Sequence, residues 1–458
     1  MTQHFDAIVI GTGQAGPPLA ARLAGAGMKV AVVERGRFGG TCVNTGCIPT
    51  KTLIASAYAA QLARRAAEYG VSVGTVSVDM KAVKARKDQI SGRSNHGVEQ
   101  WVRGLDNTTV FQGHARFERA NAVRVGDEVL EAGRIFINVG GRAQIPPMPG
   151  LDSVPYLTNS TMMDVDFLPE HLVIVGGSYV GLEFGQMYRR FGAQVTIVEK
   201  GSRLIRREDE DVSQAVHEIL ANEGIDVQLD ANCLTARRDG DGVVVGLDCT
   251  GGRREVAGSH LLLAVGRVPN TDDLGLEQAG VAVDARGYIT VDDQLRTNVP
   301  GIWALGDCNG RGAFTHTAYN DYEIVAANLL DDDPRKVSDR ITAYAMYIDP
   351  PLGRVGMTLA EARQTGRRLL VGTRPMTRVG RAVEKGESQG FMKVIVDADN
   401  HAILGASILG VTGDEVVHGL LDVMAAGAPY TTISRAMHIH PTVSELVPTL
   451  LQDLHPVE

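Results

Sequence analysis

Two cysteines are the residues best placed to do chemistry. Cys42 and Cys47 lie in the run Gly39-Gly40-Thr41-Cys42-Val43-Asn44-Thr45-Gly46-Cys47-Ile48-Pro49-Thr50-Lys51, and they are two of only five cysteines in 458 residues. An extended strand would hold them apart. On the first turns of a distorted helix their Cα atoms can come within the roughly 4.4–6.8 Å that a disulfide spans. Glycines at 39, 40 and 46 permit close backbone approach and unusual dihedrals. A helix N-terminus lowers a thiol pKa and favours the thiolate, the form that attacks. Spacing alone leaves two readings open, a redox-active disulfide and a pair of buried structural thiols.

The elements before this run are more specific. Ala7 to Ile10 is a short apolar stretch that reads as a buried strand. Gly11-Thr12-Gly13-Gln14-Ala15-Gly16 follows, then a helical stretch to Gly27, a strand from Lys29 to Val33, and Glu34. Strand, GxGxxG, helix, strand and acid is the order that brings backbone N–H groups and a helix N-terminus to a pyrophosphate, with the acid on a ribose. The unit recurs as the strand Leu172 to Val175, the loop Gly176-Gly177-Ser178-Tyr179-Val180-Gly181, a helix, the strand Gln194 to Val198, and Glu199. Gly11 to Glu34 and Gly176 to Glu199 cover the same 23 positions. Two Rossmann-type modules in one chain are expected, with Ser178 a small substitute for the middle glycine. A flavin in one and a nicotinamide in the other would make the cysteine pair the end of an electron path.

Between the modules, helices are expected from Ala55 to Tyr69 and from Val78 to Arg103, and short strands from Thr108 to Arg142. Pro169 marks entry to the second module. After it, Leu261 to Asn270 reads as a strand ending in the turn at Gly266, and Thr297 to Asp307 as a strand ending in an acid. A helix from Tyr319 to Leu330 follows, with the chain returning to the first module. The charged run Asp331 to Lys336 reads as a solvated boundary, and an α+β region occupies the remainder. In that region His440 precedes Glu445 by five residues, a spacing that suits a base and its orienting carboxylate. A packing histidine is the plain alternative. His438 and His440, without further ligands, make a poor zinc set, so no metal site is expected.

Composition narrows the class. Net charge is −9 and 44% of residues are hydrophobic, which fits a globular protein and offers no basic surface for nucleic acid. No apolar run of about 18 residues marks a membrane span, and no leader precedes the first strand. Few cysteines suggest a reducing, cytoplasmic setting in which a disulfide is catalytic rather than structural.

Taken together, GxGxxG, GGTCxNxGCxPxK, the second glycine loop, GRxPN from Gly266, the Gly306-Asp307 pair and HPTxSE resemble the pyridine nucleotide–disulfide oxidoreductases, which include glutathione reductase, dihydrolipoyl dehydrogenase and mercuric reductase. The resemblance covers essentially the whole chain. It implies an α/β fold of two Rossmann-type modules, one inserted in the other, plus a C-terminal α+β dimerisation domain. Residues 1–152 and 273–336 would bind FAD, 153–272 would bind NADH or NADPH, and 337–458 would form a homodimer. Carried over by position, Cys42 is the interchange thiol, Cys47 the thiol against the flavin, Lys51 the lysine near the flavin and Glu183 its carboxylate partner. Tyr179 resembles the residue that gates the nicotinamide, and Gly11, Gly13, Gly16, Glu34 and Asp307 would hold FAD. Gly176, Gly181, Glu199 and Gly266 fall to the second site. His440 and Glu445 would be lent to the other subunit's cysteines.

Glu199 favours a free ribose hydroxyl and hence NADH, although Lys200, Arg203, Arg206 and Arg207 follow it. The acceptor is read from what is missing. The last cysteine is Cys308, so the tail lacks the cysteine pair usual in mercuric reductases, and no N-terminal metal-binding domain precedes the first module. Phe314 to Glu323 differs from the segment typical of dihydrolipoyl dehydrogenases. The pattern looks closest to the mercuric reductase-like group that includes the reactive-chlorine-resistance copper reductase. The expected function is transfer of electrons from NAD(P)H through flavin and the Cys42–Cys47 disulfide to a small disulfide or soft metal ion. Glutathione reductase or dihydrolipoyl dehydrogenase activity is the alternative, and a flavin-bound redox sensor is the alternative class.

Overall fold

The first strand runs further than its apolar core, Thr2–Ile10, because it pairs in parallel on both sides, with Val30–Glu34 and with Glu128–Ile137. The computed structural model describes residues 1–248 and 254–457. In the first sheet the strands lie in the order Thr108–Gln112, Val30–Glu34, Thr2–Ile10, Glu128–Ile137, Ala122–Val125, Ala115–Arg119, and the short strand Ile302–Ala304 adds in parallel to Glu128–Ile137. The chain therefore returns to its first sheet after residue 300. Ile8, Val9, Ala31 and Val32 are fully buried, an unbroken run rather than an alternation, as expected where helices cover both faces of a parallel sheet.

The second parallel sheet has the order Asp226–Gln228, Gln194–Val198, His171–Val175, His260–Leu263, and a three-stranded antiparallel sheet, Thr235–Asp239, Gly242–Gly246 and Glu255–Gly258, lies beside it in sequence. A ladder between Gly141–Ala143 and Arg267–Pro269 pairs the segments that lead out of and back to the first sheet. The C-terminal region is a six-stranded antiparallel sheet carrying the helix Gly413–Ala425. Among the described residues no helix is long and apolar enough to cross a membrane.

Four expectations need correction. The helix placed at Ala55 to Tyr69 is Cys47–Arg64, followed by a short 3-10 turn, Ala66–Tyr69. Pro49 does not delay it, because the first-turn N–H groups have no helical partner in any case. The two cysteines consequently lie on separate helices, Cys42 in the five-residue Gly40–Asn44 and Cys47 at the head of the next. The helix placed at Tyr319 begins at Thr315, where Thr317 accepts the Phe314 N–H at 3.1 Å and closes the first turn. The strand expected over Thr297 to Asp307 is only Ile302–Ala304, and Asp307 sits in a 3-10 turn that follows it.

The buried polar contacts between regions are concentrated in two places. The helix Tyr179–Phe191 presents Tyr179, Glu183, Gln186 and Arg190 at spacings of four, three and four, one helical face. Gln186 exchanges hydrogen bonds with the backbone of Asp349, and Arg190 pairs with Asp349 at 2.7 Å and Glu223 at 2.6 Å. The second place is the acidic run before the helix Glu210–Asn222. Glu208 pairs with Arg354, and Asp209 pairs with Lys393 at 2.8 Å while accepting the N–H groups of Leu359 and Ala360. Arg354 and Lys393 are 1% and 2% exposed, so each depends on its carboxylates for charge compensation.

Candidate functional site

Glycine geometry builds the floor of the site. Gly11 has φ +102°, and a Cβ there would lie 2.3 Å from the carbonyl oxygen of Asn138; a Cβ on Gly16 would lie 2.1 Å from that of Gly11. Only glycine lets these backbones approach so closely. Asn138 fixes the loop from the other side, donating to the Gly13 carbonyl at 3.2 Å. Glu34 accepts from Thr12 N and Oγ1 at 2.9 and 2.6 Å and from Gly36 N at 2.8 Å, which orients its carboxylate at the strand end. The second loop is built the same way. A Cβ on Gly181 would lie 2.0 Å from the Gly176 carbonyl, and Glu199 accepts from Gly177 and Gly201, each at 2.7 Å.

One cavity of about 820 Å³ gathers much of what the sequence singled out. Gly11, Gly13 and Glu34 line one part of it, Cys42, Cys47 and Lys51 another, and Asp307, Tyr179 and Glu183 a third. Gly16 lies beneath Gly11 rather than on the surface. Gly176, Gly181, Glu199 and Gly266 are outside the cavity, as are His440 and Glu445. Its size, its glycine cradle and its acid at a strand end fit a flavin dinucleotide.

The two cysteines are free thiols with different electrostatics. The Cys47 thiol is lowered to about 6, first by the hydrogen bond from Cys42, then by Thr315 and Lys51 against the opposing effect of burial. Its Sγ lies 3.1 Å from Thr315 Oγ1, and it heads an 18-residue helix, whose N-terminal dipole acts in the same direction. The same shared proton pushes the Cys42 thiol far up, aided by burial. The pair thus holds one proton on Cys42 and one negative charge on Cys47, which is exposed to the cavity. Cys308 is a third free thiol, buried and raised to about 12 by burial. Cys233 is disulfide-bonded.

Lys51 is held in place twice. Its Nζ lies 2.6 Å from Glu183 Oε2 and 4.5 Å from the centroid of Tyr347. Glu183 in turn accepts the Tyr347 N–H at 2.9 Å, so the C-terminal region fixes the carboxylate that fixes the lysine. Burial raises Asp307, opposed by Arg267, whose Nε is 3.6 Å from Oδ2. Away from the cavity, His440 Nδ1 lies 2.9 Å from Glu445 Oε2; the histidine side chain is 81% exposed and the glutamate 17%.

Several cavity residues escaped the sequence reading. Thr315 lies four residues before the helix expected from Tyr319; a helix start soon after the Asp307 turn points to it. Arg267 was read as part of a turn motif only. Phe314, Tyr344 and Tyr347 carry no signal that joins them, Phe314 coming from the head of one helix and the two tyrosines from the strand Ala343–Met346 and the residue after it.

The comparisons with known proteins agree with this geometry. Residues 5–321 match the pyridine nucleotide-disulphide oxidoreductase model, and residues 342–451 match the dimerisation domain of the same family. The probable pyridine nucleotide-disulfide oxidoreductase RclA of Escherichia coli is 35% identical over 96% of this chain and 97% of its own length. A dihydrolipoyl dehydrogenase of Haloferax volcanii is 34% identical and a mercuric reductase of Streptomyces lividans 33% identical, each over 96% of this chain and 94% of the relative. The solved Cu(II) complex of the HOCl-induced flavoprotein disulfide reductase RclA superimposes with a TM-score of 0.90 at 34% identity, covering 98% of this chain and 99% of that one. With its glycine-cradled cavity opening onto a pair of thiols, the chain belongs to the pyridine nucleotide–disulfide oxidoreductases, enzymes that depend on FAD and have a pyridine nucleotide as substrate.

Proposed function

We propose that this chain reduces a soft metal ion, of the cupric or mercuric class, or a small disulfide at Cys42, with electrons from NADH. The observation that carries the reading is the placement of Cys42 and Cys47, with Lys51 held by Glu183, on the wall of the same glycine-cradled cavity. Bound flavin supplies two-electron transfer between nicotinamide and the cysteines. The chain's own residues do the rest. Gly11, Gly13, Gly16, Glu34 and Asp307 seat the dinucleotide, within segments 1–152 and 273–336. Lys51, held by Glu183, places a positive charge beside Cys47. Cys42, once deprotonated, attacks one sulfur of a disulfide or ligates a metal ion, the two electrons of the dithiol reducing one disulfide, one mercuric ion or two cupric ions; His440 of the partner subunit, oriented by Glu445, takes the thiol proton and returns it to the departing thiolate. The 81% exposure of the His440 side chain supports this role across a homodimer formed by segment 337–458. Two relatives, a mercuric reductase and an RclA solved as its Cu(II) complex, support the metal acceptor.

Segment 153–272 takes the nicotinamide, with Gly176, Gly181 and Gly266 shaping its loops and Tyr179 covering the cavity where the nicotinamide enters. NADH is favoured because Glu199 keeps a carboxylate where a 2′-phosphate would lie. Arg203 turns away, donating to the carbonyls of Arg206 and Glu208 at 3.3 Å, while Lys200, Arg206 and Arg207 remain exposed. Cytoplasmic placement goes with this reading, since a thiol pair that must cycle works where reductant is at hand.

The test is anaerobic reduction of the holoenzyme with NADH, followed by turnover with cupric ion, mercuric ion, oxidised glutathione and lipoamide. Long-wavelength thiolate–flavin absorbance and faster turnover with a metal ion than with either disulfide are expected. Strong preference for NADPH would overturn the nicotinamide assignment, and lipoamide as best acceptor would overturn the metal. No turnover with any acceptor would favour a redox sensor.

A further inference from the structure

Three aromatic rings from three parts of the chain form a continuous stack along the cavity wall. Tyr179 lies 5.5 Å from Phe314 between centroids with the planes tilted by 36°, and Phe314 lies 5.5 Å from Tyr344 with the planes only 7° apart. His316 stacks on Phe314 as well, at 5.3 Å and 11°. All four line the cavity. The far end of the stack is tied down. The Tyr344 hydroxyl donates to Glu208, a carboxylate 4% exposed and paired with the buried Arg354. Tyr179 heads the helix after the second glycine loop, and Glu208 precedes the next helix of the same module. The stack therefore starts on the second module, passes through Phe314 of the first, and ends on Tyr344 of the C-terminal region, which Glu208 ties back to the second module. A ring packed against a tethered neighbour cannot swing without giving up that contact, and rings at these separations attract beyond their buried area.

We infer that Tyr344, tethered to Glu208, is a positioning residue that holds Tyr179 closed through Phe314 and so sets the fraction of molecules open to nicotinamide. The inference rests on Tyr179 covering the nicotinamide entrance, as proposed above. A ligand that binds only the open form has its apparent Kd multiplied by the reciprocal of the open fraction. A neutral hydroxyl bonded to a charged acceptor is among the stronger tethers a side chain can make. Its removal frees Tyr344, then Phe314, then Tyr179, and the open fraction rises.

The experiment titrates NAD⁺, and NADP⁺ in parallel, into oxidised holoenzyme by calorimetry. Tyr344→Phe, which keeps the ring and loses only the hydroxyl, is expected to tighten nicotinamide binding about threefold to tenfold. Phe314→Leu, which breaks the stack in its middle, is expected to do the same and serves if Tyr344→Phe does not retain flavin. Tyr179→Ala separates the inference from its premise. If Tyr179→Ala leaves the nicotinamide Kd and the rate of flavin reduction unchanged, the gate reading fails and the inference with it. If Tyr179→Ala tightens binding while Tyr344→Phe leaves it unchanged or weakens it, the gate stands and the tether is refuted. If both act, the double variant should bind no more tightly than Tyr179→Ala alone, because the tether works only through Tyr179. Additive tightening would refute that route.

Discussion

Replacing Thr315 by valine tests the origin of the Cys47 thiolate. The substitution keeps the shape of the side chain and removes only the hydroxyl that lies 3.1 Å from Sγ. A hydrogen bond to a charged partner contributes about 1.5–3 kcal/mol. Cys47 opens into the cavity, so the lower figure applies, about 1.5 kcal/mol. At about 1.4 kcal/mol per unit that is close to one pKa unit. The sign follows from the charged form. The hydroxyl stabilises the thiolate, so losing it raises the thiol from about 6 toward about 7. Near pH 6.5 the thiolate fraction then falls from about three quarters to about one quarter. The assay is a pH titration of the long-wavelength thiolate–flavin absorbance in the NADH-reduced holoenzyme, read as the difference in midpoint between variant and parent. Well above the new midpoint, near pH 9, the two should have the same amplitude. An unmoved or lowered midpoint would refute the reasoning. Lost amplitude at high pH would mean that Thr315 positions the sulfur rather than stabilising its charge.

Three further outcomes are expected. Gly11→Ala places a Cβ 2.3 Å from the Asn138 carbonyl at a φ that disfavours any side chain, so the purified variant should contain little flavin by absorbance. Arg354→Met leaves Glu208 buried without its cation and should destabilise the holoprotein by about 3–5 kcal/mol, read from its urea midpoint, whereas Arg368→Ala on the surface should leave that midpoint where it is. His440→Gln should slow thiol–disulfide exchange about a hundredfold or more while flavin content is unchanged; loss of flavin would assign the histidine a structural role.

What was legible in the sequence was what the backbone dictates locally. A glycine loop between a strand and a helix needs its glycines at fixed offsets, so Gly11, Gly13 and Gly16 announced the first cradle and Gly176 and Gly181 the second. Cys42 and Cys47 were legible as a pair, but their placement on two helices was not. The break at Gly46, where a Cβ would sit 2.9 Å from the Thr41 carbonyl, is a tertiary contact with no period to betray it. Helix starts were the weakest reading. Thr315 and Cys47 are both poor helix formers that nonetheless open helices, and at Thr315 the late start concealed a functional group. The wall made by Phe314, Tyr344 and Tyr347 was invisible because its members meet only when the first sheet and the C-terminal sheet close on one another.

The polar face of the Tyr179–Phe191 helix has a consequence for exchanging parts between relatives. Its four contacts repeat with the helical turn, so one inserted or deleted residue rotates those beyond it by about 100°. Insertion after Tyr179 would break the lysine clamp and the ties to Asp349 and Glu223 in a single step. The cofactor preference of this chain is therefore not a detachable cassette. A graft of the nicotinamide module from a relative has to bring the 344–349 segment with it, or Lys51 arrives beside the cysteines with nothing to aim it.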